Sequence, residues 1–343
     1  MHDVDLELVS DEARLHQARH EPVVEAKTAV VANIARTSIT FALTGADGRL
    51  RPETVHRYDS AAHATVSGAF FAFSKETGLS GLPKRCGIAV AGVPRGDTIS
   101  VTNSRLFISK SALKAVFDQW LVINDFAANA WSVSTADPGL VQPAGAAAPG
   151  ARPGTYLVIG MWHGLGVAAF IRDTGGHVTV LPTEAGHAEL VDSAPEIAPL
   201  VEIIRRRNGH CTAETLLTSQ GMAALANVLA GQQGGAARYR SAEDVIAAAG
   251  RGDCAARKAS VLFAKALWRY AGNLTLVFGA WDGLFLTGRI VDALRPVLAL
   301  PEVRQGYVIP GPFANLLHDV PAGFLLIENS ELHGVAEALR RLP

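Results

Sequence analysis

Cysteine, charge and aromatic rings are all scarce in this chain. Three cysteines, Cys86, Cys211 and Cys254, occur in 343 residues, and no two lie close together. That excludes a disulfide framework and a clustered zinc motif, and it is the usage of a reducing compartment. Charged residues are 18% of the chain, and 31 Lys+Arg against 32 Asp+Glu leave a formal charge of -1. The basic excess of a general nucleic-acid binder is therefore absent. The amino terminus, MHDVDLELVSDEARLHQARHEP, has no apolar core of signal-peptide length. No uncharged apolar run reaches the roughly 20 residues of a membrane span. These absences predict a cytoplasmic protein that binds neither nucleic acid nor membrane. What is present is aliphatic: hydrophobic residues reach 49%, which excludes a disordered or fibrous chain. The length fits two domains or one duplicated fold.

Residues 1–28 read as a charged tail, in which His16 and His20 would share a helix face. Two histidines rarely make a metal site, so a solvated face is expected there. From Ala29 two β-type segments surround a short turn, and a third, TVHRY, precedes a helical stretch, AAHATVSGAFFAFSKETG. CGIAVAGV is apolar on both faces and predicts a doubly covered strand. TISVTN reads as a strand, SKSALKAVFDQW as a helix capped by Ser109 or Ser111, and LVINDFAANAW as a buried strand entering a helix. Residues 136–154, rich in Pro, Gly and Ala, predict a loop or a boundary between lobes. Immediately afterwards TYLVIGMWHGLGVAAFIRDTGGHVTVLP repeats the opening strand, turn, strand, turn, strand order. Mostly helical segments follow, then a buried strand, GLFLTG, opening a helix. The closing FLLIENSELHGVAEALRR reads as a strand and a helix with Asn329 or Ser330 as its cap.

Four segments carry chemistry: VTNS at 101–104, INDFAA at 123–128, LPTEAGH at 181–187 and GHCTAETLLTSQGM at 209–222. They supply Asn, Asp, Glu and His side chains, which answer hydroxyl groups as both donors and acceptors. Asp125 sits where a buried strand ends, a usual place for a cleft residue in an α/β sheet. A carboxylate there can accept the proton of an attacking hydroxyl. Taken alone, the Asn-Asp pair reads more readily as a helix cap supplied by Asp125, and His187 as a histidine satisfied by one hydrogen bond.

In this order the four segments resemble the Met-Thr-Asn, Ile-Asn-Asp-Phe-x-Ala, Leu-Pro-x-Glu-Gly-Gly-His and Gly-His-x-Ser-Ala-Glu stretches of the bacterial glucokinase family. These are ATP-dependent kinases of the actin-like ATPase superfamily, and the resemblance runs from about residue 29 to the end. It implies an α/β, duplicated actin-like (ribonuclease H-like) two-lobe fold with mixed sheets flanked by helices. The small lobe would span 29–135, completed by 328–343, and the large lobe 136–327. Asn103, Asn124, Asp125, Glu184, His187 and Glu214 would line a hexose pocket, with Asp125 catalytic. ATP and Mg2+ are implied, and a homodimer is left open.

The nucleotide side departs from the family. Where it has Gly-Asp-x-Gly-Gly-Thr-Asn, this chain runs from Ala32 to Ser38 and keeps only Thr37. Asn33 replaces a metal-directed carboxylate, and Ala35 and Arg36 fill space kept clear by glycine. A second phosphate motif reads GMWHGLG at 160–166, where Gly164 is kept but Trp162 and His163 replace small residues. Trp162 restricts the site unless it turns outward. In LFLTGRIV, Gly288 is kept and Arg289 replaces a glycine. By resemblance, Asn33, Arg36, Thr37, His163, Gly164 and Gly288 would face the nucleotide, with weakened Mg-ATP binding. Two readings follow: Arg36, His163 and Arg289 replace the lost contacts, or the pocket is closed and the protein senses a sugar without phosphorylating it. Cys211 follows His210 without other cysteines nearby, so the zinc motif of the related ROK kinases is not supported.

Overall fold

A computed structural model describes residues 28–162, 164–190, 197–232, 234–236 and 238–342. The tail with His16 and His20, and also His163, lie outside the described residues. The first half runs β1 (Ala29–Ile34), β2 (Ser38–Leu43), β3 (His56–Asp59), α1 (Val66–Glu76), β4 (Arg85–Val90), β5 (Thr98–Ser100), β6 (Phe107–Ser109), α2 (Lys110–Val116), β7 (Gln119–Asn124) and α3 (Asp125–Ser134). The second half begins with β8 (Val141–Pro143), β9 (Gly154–Met161), β10 (Leu165–Arg172) and β11 (Val178–Pro182). Helices α4 (Ala198–Asn208), α5 (Ala213–Leu216), α6 (Ser219–Gln232), α7 (Ala242–Gly250) and α8 (Cys254–Phe278) follow. Last come β12 (Gly283–Thr287), α9 (Arg289–Leu298), α10 (Pro301–Arg304), α11 (Ala314–Asp319), β13 (Ala322–Leu325) and α12 (Ser330–Arg340).

The duplication is visible in the strand order. One sheet runs β3-β2-β1-β4-β7 and the other β11-β10-β9-β12-β13-β8, so the first five positions correspond one to one. In each, a hairpin (β1 with β2, β9 with β10) is antiparallel and the next strands add in parallel. The central strands are apolar throughout because both faces are covered. One core lies on the first sheet, with Phe41, Phe73 and Ile88 fully buried. A larger one, with Leu157, Leu267 and Trp268, lies between the second sheet and the helices from α4 onward. The expected α/β class with mixed sheets flanked by helices is what the structure has.

Local readings needed three corrections. The Pro/Gly/Ala-rich segment contains β8, an edge strand antiparallel to β13, and its Pro143 sits where a missing N–H costs no inner ladder bond. The helix read through Trp120 stops at Val116, because Gln119 and Trp120 extend β7 against β4. Its cap is Ser109, whose Oγ accepts from the Ala112 N–H at 3.2 Å. At α12, Asn329 occupies the cap position in a left-handed conformation (φ 50°) without a side-chain cap bond. Ser330 turns inward and donates its hydroxyl to Asn129 Oδ1 at 2.5 Å.

Helices α3 and α12 follow β7 and β13, the equivalent last strands of the duplicated motif, and pack directly on one another. Helix α12 also lies against β1 and β4. The approach depends on Gly334, where an added Cβ would lie 1.6 Å from the Ala128 carbonyl oxygen. Gly334→Ala is therefore expected to destabilise the protein by about 1–3 kcal/mol through overpacking. Urea unfolding measures it, and an unchanged midpoint would show that α12 shifts at no cost.

Candidate active site

The carboxyl ends of the parallel strands all face one cleft. Residues at or just beyond the ends of β1, β4, β7, β9, β12 and β13 line a cavity of about 800 Å³. Open α/β sheets place their ligands at such strand ends.

At the end of β7 the Asn124 and Asp125 pair divides its work. Asn124 is buried and caps α3: its Oδ1 accepts from the Phe126 and Ala127 N–H groups at 2.9 and 3.2 Å, and its Nδ2 donates to the Gly92 carbonyl. The cap reading thus belongs to Asn124, and Asp125 is left facing the cavity. Asn129 supports it from one turn along α3, donating Nδ2 to the Asp125 carbonyl at 3.1 Å while accepting from Ser330.

Asn103, Glu184, His187 and Glu214 line the same cavity. Asn103 sits in the left-handed region (φ 54°), which asparagine tolerates better than other non-glycine residues. His187 Nε2 lies 3.6 Å from Glu214 Oε2, joining the 3-10 turn Ala185–His187 to α5. All six residues expected to line a hexose pocket are brought together.

Burial pushes the Asp125 carboxyl up to about 8, with the Glu331 and Glu184 carboxylates adding to the effect. Glu184 is itself raised by burial, with His187 opposing and Glu214 adding. Glu331, on the first turn of α12, is raised by burial, while Asn129 and Arg57 act the other way.

Of the positions expected to face a nucleotide, Asn33, Arg36, Gly164 and Gly288 line the cavity. Thr37 does not: it is exposed at the β1–β2 turn, where its carbonyl accepts from the Ser60 N–H at 3.2 Å. Gly288 precedes α9 with φ 101°, and an added Cβ would meet the Met161 carbonyl oxygen at 2.4 Å. Trp162 does not turn outward; it lines the cavity and lies 6.0 Å from the Phe126 ring, centroid to centroid. The indole narrows the cleft without sealing it, since Gly288 and Arg289 still border the same space.

No cluster of three His, Cys, Asp or Glu suited to a metal occurs among the described residues. Asn33 Oδ1 is buried without a protein partner, a neutral acceptor at the end of β1. This donor set fits a magnesium ion that arrives on phosphates, not one held by the protein alone.

Sequence reasoning missed Arg57, Asp292, Arg295 and Glu331, which also line the cavity. Arg57 and Glu331 lie on elements whose facing is set by β3 pairing with β2 and by α12 packing on α3, so no local motif marks them.

A family profile described as Glucokinase matches residues 30–342. The chain belongs to the glucokinase family. It is 32% identical over 315 residues to a glucokinase of Stenotrophomonas maltophilia, covering 90% of this chain and 93% of that protein. The crystal structure of a glucokinase from an Antarctic psychrotroph matches with a TM-score of 0.78 at 27% identity, covering 92% of this chain and 99% of that one. Another, a glucokinase from Balamuthia mandrillaris in complex with glucose, matches with a TM-score of 0.75 at 21% identity over 96% and 98% of the two chains. The glucokinase-type phosphotransferase expected from motif order is borne out at the level of the family, and nothing in the cleft favours the sugar sensor.

A general base must be ionised before it accepts a proton, so a raised carboxyl moves the acid limb of activity upward. For this glucokinase-family chain, kcat/KM is expected to rise with pH, reach half its plateau near 8, the value to which Asp125 is raised, and level off about one unit above that. Initial rates across pH 5.5 to 9.5 test this (on the order of ten points suffice). A profile already flat from pH 6 contradicts either the shift or the role.

Proposed function

We propose that this chain transfers the terminal phosphoryl group of ATP to the primary hydroxyl of glucose or a similar hexose, in the cytoplasm. The observation that carries this is convergence: Asn103, Asp125, Glu184, His187 and Glu214 come from four separate segments and line one cavity. Glucose bound to the Balamuthia relative supports the choice of hexose.

The sugar's hydroxyls meet carboxylates and an imidazole, so each O–H has an acceptor stronger than a neutral one. Ionised Asp125 takes the proton of the primary hydroxyl as its oxygen attacks the terminal phosphorus. The bond from that phosphorus to the bridging oxygen breaks, leaving a hexose phosphate and ADP. Asn33 stands where phosphate-bound magnesium would be met, and such an ion supplies charge neutralisation when bound. Gly164 and Gly288 allow backbone to approach the donor. The small lobe at 29–135 with 328–343 and the large lobe at 136–327 close on the substrates, excluding water and aligning the reactants. Separate cores on the two sheets support this division.

Asp125→Asn is expected to lower turnover at least about a hundredfold and to change glucose affinity less than about tenfold, because the base acts in the transition state. Equal turnover in the two proteins removes Asp125 from the role. Separately, alanine at Glu184, His187 or Glu214 is expected to weaken glucose binding by about 1–3 kcal/mol. Calorimetry with glucose alone reads this without turnover, and unaltered affinity in all three variants refutes the sugar pocket.

A further inference from the structure

The cleft contains more cationic side chains at its donor end than a glycine-and-metal phosphate site requires. Arg36 and Arg57 line it from the first sheet, and Arg289 and Arg295 from α9. The two on α9 are already engaged, Arg289 with Glu243 at 2.9 Å and Arg295 with Asp292 at 3.6 Å. The two on the first sheet are differently placed. Arg57 donates to Ser38 Oγ at 3.3 Å and faces the Glu331 carboxylate. The Arg36 guanidinium has no hydrogen-bond or ion-pair partner among the described residues, and its carbonyl holds the turn by accepting from Ser60 Oγ at 2.8 Å. Three residues away, buried Asn33 Oδ1 is unpartnered as well. A cavity wall with an unengaged guanidinium and a second arginine suits a ligand that carries several anionic oxygens, while the neutral Asn33 acceptor suits a cation that such a ligand brings.

We infer that Arg36, supported by Arg57, binds the phosphate chain of the donor directly and supplies the charge neutralisation that a metal-directed carboxylate would otherwise organise. The ligand chemistry is a linear polyphosphate, whether the tail of a nucleoside triphosphate or an inorganic chain. Guanidinium suits it because its forked N–H groups match two phosphate oxygens at once and it stays charged at every working pH. Ala35 and Arg36 exclude the close backbone approach that paired glycines permit, so side-chain donors take over the contact. Asn33, being neutral, leaves the metal less firmly held, and binding depends correspondingly less on magnesium.

This inference rests on the phosphotransferase reading of the cleft, and the experiment separates the two. Binding of Mg-ATP, of ATP with EDTA, and of inorganic tripolyphosphate is measured by calorimetry on the full chain with glucose present, for the parent, Arg36→Ala and Arg36→Lys. The parent is expected to bind ATP with less than about fivefold loss when magnesium is removed, and to bind tripolyphosphate. Arg36→Ala is expected to weaken all three ligands at least about tenfold, as loss of a charge-assisted bond does, with partial recovery in Arg36→Lys. Glucose affinity, read on the same samples, stays unchanged and reports an intact fold. ATP binding that requires magnesium, or that survives Arg36→Ala, overturns the inference. Retention of polyphosphate affinity without hexose phosphorylation by the parent instead overturns the kinase reading and leaves the anion site standing.

Discussion

The close crossing of α12 over α3 is the constraint on which the site depends. Gly334 lets one helix backbone rest on the Ala128 carbonyl of the other, and just beside that contact Ser330, Asn129 and Asp125 form a continuous chain of hydrogen bonds. Each helix leaves the last parallel strand of its own sheet, so their crossing sets the relation between the two halves of the duplicated fold. A side chain at that crossing is held by both sheets at once. Asp125 lies at this point, with its carbonyl tied to Asn129 and its carboxyl buried between the two helices.

The same crossing determines the electrostatics. Packing removes water from the start of α3 and brings Glu331 from the start of α12 toward Asp125, so burial and a like charge act in one direction on its carboxyl. Arg57 acts on Glu331 itself, opposing the effect of burial there and favouring its ionised form. At the sugar end, Glu184, Glu214 and His187 form a mixed set in which the imidazole moderates two carboxylates. Such a set suits a neutral ligand whose hydroxyls donate to the carboxylates without adding charge.

The donor end follows a different logic. The phosphate-facing hairpins carry a tryptophan and an arginine where the family has small residues, and Trp162 packs inward against Phe126. Guanidinium groups of Arg36, Arg57, Arg289 and Arg295 line the cleft from both sides. Family membership rests on the match over residues 30–342, and the altered hairpin tips lie within that match.

Much of this could be read from the chain alone. Period-two and all-apolar segments identified most strands, the repeat of strand and turn order revealed the duplication, and four ordered polar segments supplied six residues that line one cavity. These signals are local, so they survive without coordinates. Strand β8 was hidden because proline and glycine dominate its composition, and only pairing with β13 makes it a strand. Thr37 retained the family's residue and still falls outside the cavity, since the direction of a turn is decided by the sheet that carries it. Asn124 and Asp125 could each have been the helix cap, and the hydrogen bonds of α3 chose Asn124. Glu331 and Arg57 had no local mark at all. Residue types and spacing specify which elements form and which chemistry they carry; which side chains meet across hundreds of positions is decided by packing, because charges and close contacts act through space and not along the chain.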